Sequence, residues 1–156
     1  MRKPETGPVT LVTGGTGLIG GEVIVTLASQ GYRVRAVVRA GSELEARRRL
    51  FARLEKSHAY RERLDVLIDA VAGDTTQEMF GVTAAQLGDI GTVIHCAANT
   101  QFSAREQYSV WSTNVTGARN LVAVTRAVAP AARLVFVSTA SVVTAPQGRS
   151  EEHTSE

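Results

Sequence analysis

A glycine-rich segment near the N-terminus carries the strongest chemical signal in the sequence. Residues 13–20 are Thr-Gly-Gly-Thr-Gly-Leu-Ile-Gly and lie between a predicted strand and a predicted helix. Gly14 would permit a tight turn, Gly17 would let the backbone approach a phosphate, and Gly20 would let the helix pack closely on the strand. The free N–H groups at the start of such a helix bind anions. The segment therefore predicts a pyrophosphate-binding turn, and a purely structural glycine turn is the alternative.

Two charged residues that follow later strands bear on the choice of cofactor. Arg39 ends the second predicted strand, where NAD-binding units usually carry Asp or Glu to accept hydrogen bonds from the ribose hydroxyls. An arginine cannot accept those bonds but pairs well with a 2′-phosphate, so the sequence favours NADP over NAD. Asp74 follows the third predicted strand and would bond the adenine amino group. The alternatives are a solvated charge for Arg39 and a helix N-cap for Asp74.

A basic insertion separates the second and third predicted strands, over residues 42–63. Its apolar residues at helical spacing are Leu44, Leu50, Phe51 and Leu54. This pattern predicts an amphipathic helix with a solvated basic face. A second interpretation is that Arg47 or Arg48 helps to hold a cofactor phosphate.

Short apolar strands alternate with helices along the chain. The predicted strands are residues 8–13, 33–38, 66–72, 92–97 and 133–138. The predicted helices are residues 18–30, ended by Gly31, and residues 106–128. In the first helix, the apolar positions are Leu18, Ile19, Val23, Leu27 and Ala28. This alternation predicts an α/β fold of the Rossmann type, with a doubly wound parallel sheet in the strand order 3-2-1-4-5.

The composition excludes several classes of protein. The 156 residues are 44% apolar and 21% charged, as in one globular domain rather than a disordered or fibrous chain. The sequence has no run approaching the roughly 18 apolar residues of a membrane span. A net charge of +2 is too small to argue for nucleic acid as a partner.

Cysteine use and the start of the chain bear on its location. Cys96 is the only cysteine, so no internal disulfide can form, and a reducing, cytoplasmic location is expected. The first strand begins a few residues after Met1, which leaves no room for a signal peptide. No metal site is expected, because the adjacent His95 and Cys96 would face opposite sides of a strand and no second ligand pair accompanies them.

Four ordered segments together resemble the extended short-chain dehydrogenase/reductase family. They are residues 13–20, 95–98 (His-Cys-Ala-Ala), 113–117 (Thr-Asn-Val-Thr-Gly) and 137–142 (Val-Ser-Thr-Ala-Ser-Val). Within the family, the chain is most similar to the thioester reductase and fatty acyl-CoA reductase branch. The evidence is the long basic insertion, together with residues 73–76 (Gly-Asp-Thr-Thr) and 80–83 (Phe-Gly-Val-Thr).

The resemblance implies cofactor-binding roles for residues at the matching positions. The residues implied to bind the pyrophosphate or lie beside it are Gly14, Thr16, Gly17, Leu18, Ile19 and Gly20. Arg39 would meet the 2′-phosphate and Asp74 the adenine. Ala97 and Ala98 would line the adenine ribose and the approach to the nicotinamide.

The resemblance also implies residues that act on the substrate. Asn114 would support an active-site lysine through a water molecule, and Thr139 would hydrogen-bond the substrate carbonyl. Ser138 and Ser141 are the alternatives to Thr139, since a one-residue shift changes which hydroxyl points inward. Ser138 is also expected among the cofactor-binding residues.

A Tyr-x-x-x-Lys pair that the family's chemistry needs is missing from the sequence. In the family, the tyrosine donates a proton, and the lysine lowers its pKa from about 10 and binds the nicotinamide ribose. Tyr32, Tyr60 and Tyr108 all precede Thr139, and none has a lysine four residues later. The chain is therefore expected to be the NADP-binding part of an oxidoreductase that reduces an acyl thioester to an aldehyde or alcohol. On its own it is expected to be inactive.

The last residues differ from the rest of the sequence. Residues 149–156 (Arg-Ser-Glu-Glu-His-Thr-Ser-Glu) match the translation of a common sequencing-library adapter. We expect a partial NAD(P)-binding domain over residues 1–148, incomplete at its C-terminus, and a non-native, disordered tail after it. The fifth strand would then be an open apolar edge, which predicts poor solubility or partial unfolding.

Two other functions are compatible with the same segments. One is a nucleotide-sugar epimerase, a dehydratase or a hydroxysteroid-type dehydrogenase, which Arg39 and the basic insertion disfavour. The other is a non-catalytic, dinucleotide-sensing regulator, which would have no need of Asn114 or Thr139.

Overall fold

The computed structural model describes residues 7–101 and 104–138, in which a five-stranded parallel sheet lies between helices. The strands are β1 (Val9–Thr13), β2 (Val34–Val38), β3 (Ile68–Ala72), β4 (Ile90–His95) and β5 (Arg133–Phe136). Their order is β3-β2-β1-β4-β5, and each adjacent pair is parallel. The predicted Rossmann-type sheet and its strand order are confirmed.

Five α-helices connect or flank the strands in the described part of the chain. They are α1 (Leu18–Ser29), α2 (Glu43–Leu54), α3 (Ala84–Leu87), α4 (Gln107–Trp111) and α5 (Gly117–Val128). Short 3₁₀ segments span Glu62–Leu67, Glu78–Gly81 and Ala104–Glu106, and a π-helical turn spans Ser112–Thr116. None of the described helices is long and apolar enough to cross a membrane.

Several predicted elements have different bounds in the structure. The fourth strand was expected over residues 92–97 but spans Ile90–His95, and the fifth was expected to residue 138 but ends at Phe136. The third strand was expected from residue 66, but a 3₁₀ segment ends at Leu67 and β3 begins at Ile68. The single helix expected over residues 106–128 is divided into α4 and α5 by the π-helical turn. The predicted end of α1 is correct, because Gly31 has a φ of 89° and its N–H bonds the carbonyl of Ala28.

The core has one layer on each face of the sheet. On one face, Val12, Ala36 and other strand residues pack against Ile24 of α1 and Leu50 of α2. On the other face, the strand residues pack with the side chains of Leu121 and Val124 from α5. The sheet is thus covered from both sides, as in a doubly wound fold.

The buried face of α1 differs from the apolar positions in the sequence. Its buried residues are Gly20, Gly21, Ile24, Val25 and Ala28. Leu18, by contrast, is 75% exposed. The glycines bring the helix backbone itself against its neighbours, which a pattern of large apolar side chains does not reveal.

Some predictions concern residues that the structure does not describe. Thr139, Ser141 and the tail at residues 149–156 lie outside the described residues. The roles of the two hydroxyl residues and the non-native origin of the tail therefore stay predictions.

Candidate functional site

A cleft of about 500 Å³ lies at the carboxyl ends of the central strands and is called the sheet-end cleft below. Ligands of open α/β sheets bind at this edge, near the point where the strand order reverses. The predicted site residues that line it are Gly14, Thr16, Gly17, Arg39, Asp74, Ala97 and Ala98. The structure thus brings together residues that are far apart in the sequence.

The glycine-rich turn forms the wall of the cleft between β1 and α1. Gly14 has a φ of 75°, and a Cβ there would lie 2.5 Å from the backbone N of Ala97. A Cβ at Gly20 would collide with the carbonyl oxygen of Gly14. Both positions therefore require glycine, because the turn, the end of β4 and the start of α1 approach one another backbone to backbone.

The start of α1 is left open to a ligand. Gly17 is the N-cap and has no side chain to accept from the free N–H groups, and the first turn has no acidic residue. The first backbone N–H groups of a helix have no partner within the helix, and the helix dipole favours negative charge there. This arrangement suits a phosphate group.

Three further residues of the predicted set belong to this turn but are not part of the cleft lining. Leu18 and Ile19 are exposed and line a separate, shallow apolar groove on the outer face of α1. Gly20 is buried against Gly14. Any contribution of these residues to phosphate binding would therefore come from the backbone.

Two arginines stand at the end of β2. Arg39 is exposed and lines the cleft, as does Arg49 from α2. Arg49 donates a hydrogen bond from Nη1 to the backbone carbonyl of Arg39, and this nitrogen lies 4.0 Å from Oε1 of Glu45. Both arginines also line an adjoining cavity of about 400 Å³. The sequence pattern missed Arg49.

The structure corrects the interpretation that Arg47 or Arg48 faces a phosphate. Arg47 lies over the ring of Phe51, 4.3 Å from its centroid, and its Nη2 is 3.9 Å from Oδ2 of Asp65. Arg48 is exposed and is not part of the lining of the cleft. Successive helix residues differ by about 100° in direction, so only one of three consecutive arginines faces the cleft.

Asp74 organises the loop that follows β3. Its Oδ1 accepts hydrogen bonds from the N–H and the hydroxyl of Thr76, at 2.9 and 2.8 Å. The helix N-cap alternative is wrong, because the nearest helical segment is capped by Gln77. Asp74 instead stabilises an Asx turn, and these contacts leave Oδ2 available at the cleft wall.

The charge of the cleft favours an anionic ligand. Its charged side chains are Arg39, Arg49 and Asp74, which gives an excess of positive charge. Cys96 also lines the cleft, and burial raises the pKa of its thiol, which opposes a reactive thiolate. Among the described residues, no group of three His, Cys, Asp or Glu side chains is placed to hold a metal ion.

Asn114 lies in the π-helical turn, and its side chain hydrogen-bonds to the loop after β4. Its Oδ1 accepts from the N–H of Asn99 at 2.8 Å, and its Nδ2 donates to the carbonyl of Asn99 at 2.9 Å. Asn99 also lines the sheet-end cleft, so Asn114 fixes part of the wall. π-Helical turns of this kind are frequent at functional sites.

Ser138 follows β5, is exposed and is not part of the cleft lining. Its neighbour Val137 donates a backbone hydrogen bond to the carbonyl of His95 at 2.9 Å. The structure therefore places Ser138 near the end of β4, at the side of the sheet away from Arg39.

The known proteins similar to this chain include several reductases. An NAD-binding family model described as "Male sterility protein" matches residues 12–156. The chain belongs to this family. It is a nicotinamide-dinucleotide-binding domain of the extended short-chain dehydrogenase/reductase type, as the sequence predicted.

Individual relatives agree with the thioester reductase branch. The NRPS-like oxidoreductase fscA of Fusarium equiseti is 29% identical over 138 residues, which are 86% of this chain and 13% of that protein. The terminal R domain of the myxalamid PKS-NRPS pathway is 28% identical with a TM-score of 0.76, over 94% of this chain and 38% of that one. The reductase domain of the aureusimine cluster is 29% identical with a TM-score of 0.66, over 86% of this chain and 34% of that one. The chain thus spans well under half of the length of these relatives.

Proposed function

We propose that this chain is the NADP-binding part of an oxidoreductase that reduces an acyl thioester, carried on CoA or on a carrier protein, to an aldehyde or alcohol. The observation that carries the cofactor choice is the pair Arg39 and Arg49 at the end of β2. The substrate class rests on the similarity to reductase domains of peptide synthetase pathways.

The residues present fit the cofactor. The glycine-rich turn packs against the backbone of Cys96 and Ala97, where a Cβ at Gly14 would collide, and the uncapped start of α1 offers N–H groups to the pyrophosphate. Thr16 and Gly17 would line the phosphates, with the backbone of Leu18, Ile19 and Gly20 behind them.

The adenosine end would lie between β2 and β3. Arg39 and Arg49 would bind the 2′-phosphate, and the free oxygen of Asp74 would accept a bond from the adenine amino group. Ala97 and Ala98 would line the path to the nicotinamide, which supplies the hydride when bound.

The substrate end rests on residues near β4 and β5. Asn114 holds the wall at Asn99, and Thr139 would polarise the substrate carbonyl, with Ser138 as the alternative. The tyrosine and lysine of the family are not in this sequence, so we expect the chain itself to bind cofactor without turning it over. A cytoplasmic location fits a chain with one cysteine.

The cofactor proposal is tested by titrating the chain with NADPH and NADH. NADPH should bind about 10- to 100-fold more tightly, because hydrogen bonds to charged groups contribute about 1.5–3 kcal/mol. Arg49→Leu should remove most of this preference by weakening NADPH alone. Arg48→Leu, on the exposed side of the same arginine triplet, is the matched control. Equal affinities in the wild-type chain would overturn the choice of NADP.

The substrate proposal needs the catalytic tyrosine and lysine. The source DNA is resequenced across the codons for residues 148–156, and any longer reading frame that it reveals is expressed. That protein should oxidise NADPH when acyl-CoA is added and release free CoA. NADPH oxidation that depends on a sugar nucleotide instead would overturn the thioester assignment.

A further inference from the structure

Arg53 of α2 makes an unusual set of contacts with the first turn of α1. Its Nε donates to the carbonyl of Gly17 at 3.1 Å, and its Nη2 donates to the carbonyl of Leu18 at 3.0 Å. The side chain is only 13% exposed, unlike the other arginines of α2 described above. It therefore crosses from one helix to the backbone of the pyrophosphate-binding turn.

The guanidinium of Arg53 packs against the backbone of Gly21. A Cβ at position 21 would lie 3.0 Å from Cζ of Arg53 and 3.1 Å from its Nε. The guanidinium thus rests directly on the helix backbone at this point. A side chain at position 21 would require the guanidinium to shift by a few tenths of an ångström relative to the two carbonyls.

Glu22 and Ser57 orient Arg53 from the other side. Oε1 of Glu22 lies 3.1 Å from Nη2 of Arg53, and its Oε2 accepts from the hydroxyl of the buried Ser57 at 2.6 Å. These two hydrogen bonds, Ser57 first and Arg53 second, lower the pKa of Glu22. The carboxylate is therefore held in its charged form next to the guanidinium.

The first turn of α1 lacks the usual means of stabilisation. A helix N-terminus is normally held by a capping side chain that occupies its free N–H groups. Here Gly17 is the cap and offers no side chain to accept from those N–H groups, which therefore stay free. Arg53 holds the same turn through its carbonyl groups and so leaves the N–H groups available to a ligand.

We propose that Arg53 is a positioning residue that holds the start of α1 in its phosphate-binding conformation, and that Gly21 leaves the room its guanidinium needs. This inference rests on the proposed function, in which the turn binds the pyrophosphate of the cofactor. The pyrophosphate is common to NADPH and NADH, so Arg53 should affect both cofactors equally. Arg49, by contrast, should affect NADPH alone.

The first test compares cofactor affinities of variants in the full chain. Arg53→Leu should weaken NADPH and NADH by the same factor, about tenfold, as expected for one lost charged hydrogen bond. Arg53→Lys should restore part of the loss, since an ammonium can reach one carbonyl. Arg48→Leu is the control. A loss confined to NADPH would make Arg53 a 2′-phosphate ligand and overturn the positioning role.

Gly21→Ala separates positioning from stability. Alanine stabilises a helix interior by about 1 kcal/mol relative to glycine, so a merely structural effect would leave affinity unchanged or improve it. Displacement of the guanidinium predicts a smaller loss in the same direction as Arg53→Leu. Unchanged or tighter binding of both cofactors would contradict the inference.

A measurement without cofactor keeps the inference distinct from the proposed function. The amide of Gly21 donates to the carbonyl of Gly17 at 3.0 Å, within the turn that Arg53 holds. Its hydrogen exchange should be several-fold faster in Arg53→Leu and unchanged in Arg48→Leu. Unchanged exchange in Arg53→Leu overturns the inference even if cofactor binds. Failure of the wild-type chain to bind either cofactor overturns the proposed function instead.

Discussion

The two ends of the sheet differ in how completely they are covered. At the β3–β2 end, α1 and α2 bury the strands, and side chains of α2 reach the glycine-rich turn and the end of β2. At the β5 end, Leu134, Val135 and Phe136 are 41%, 38% and 48% exposed. The parts that would bind the phosphates and the adenosine are thus assembled within the first half of the chain. The side that would carry the substrate is less enclosed in the described residues.

The largest expected effect tests the covered end. Gly14→Val should weaken NADPH binding at least about 100-fold, because φ is 75° and the new Cβ would collide with the backbone of Ala97. Gly7→Val is the control, since a Cβ at Gly7 meets nothing within 4 Å. Binding is measured by fluorescence titration, with circular dichroism to follow the fold. Wild-type affinity in Gly14→Val would show that the turn does not form the binding wall.

The next effect concerns the wall near β4. Asn114→Ala removes both hydrogen bonds to the backbone of Asn99 and should lower the free energy of unfolding by about 1–2 kcal/mol. Urea unfolding measures the change, and Gln107→Ala at an exposed position of α4 is the control. An unfolding free energy equal to that of the control would mean that the Asn99 loop is not held by Asn114.

A charged residue on the exposed strand β5 should reduce aggregation of the chain. Val135→Lys should roughly halve the light scattering of the chain at equal concentration, because lysine on an edge strand opposes strand pairing between molecules. Val122→Lys, at another exposed valine on α5, should have little effect. If both variants scatter as much as the wild type, aggregation does not proceed through β5.

The smallest effect concerns a histidine between the two ends. His95 is buried, its Nδ1 lies 2.6 Å from the hydroxyl of Thr13, and burial lowers its pKa below 6.5. The folded state therefore resists protonation, and the stability that neutral His95 gives is lost as the pH falls below 6.5. Unfolding at pH 7.5 and 5.5 should show a smaller pH-dependent loss in His95→Gln. The exposed His58 gives the control His58→Gln, and equal losses in all three proteins would contradict this.

The strands could be predicted from the sequence because short apolar runs are local signals, and the preference for right-handed crossovers favours their order in the sheet. The site residues could be predicted where backbone geometry requires a particular residue type, as it requires glycine at positions 14 and 20. It was not predictable on α2, where three consecutive arginines have the same chemistry and only the rotation of the helix selects Arg49. The buried face of α1 was also not predictable. It contains Gly20 and Gly21, which have no apolar side chain that a sequence pattern could register.

Another unpredicted feature is the loop between Asp74 and Val82. Met79 and Phe80 have φ values of 50° and 60°, a region that bulky residues rarely adopt, although Phe80 is fully buried. Sequence propensities argue against such a conformation. Burial of the ring in the core compensates for the backbone, which is a tertiary effect that no local pattern contains.

Helix α2 carries side chains that contact two different parts of the candidate site. Arg49 lines the sheet-end cleft, and Arg53, one turn later, hydrogen-bonds to the glycine-rich turn. Under the proposed function, a redesign from NADP to NAD would replace Arg39 and Arg49 and retain Arg53. Exchange of the whole helix with that of an NAD-dependent homologue would change cofactor preference and weaken overall affinity at once. Point changes at two positions would avoid that combined loss.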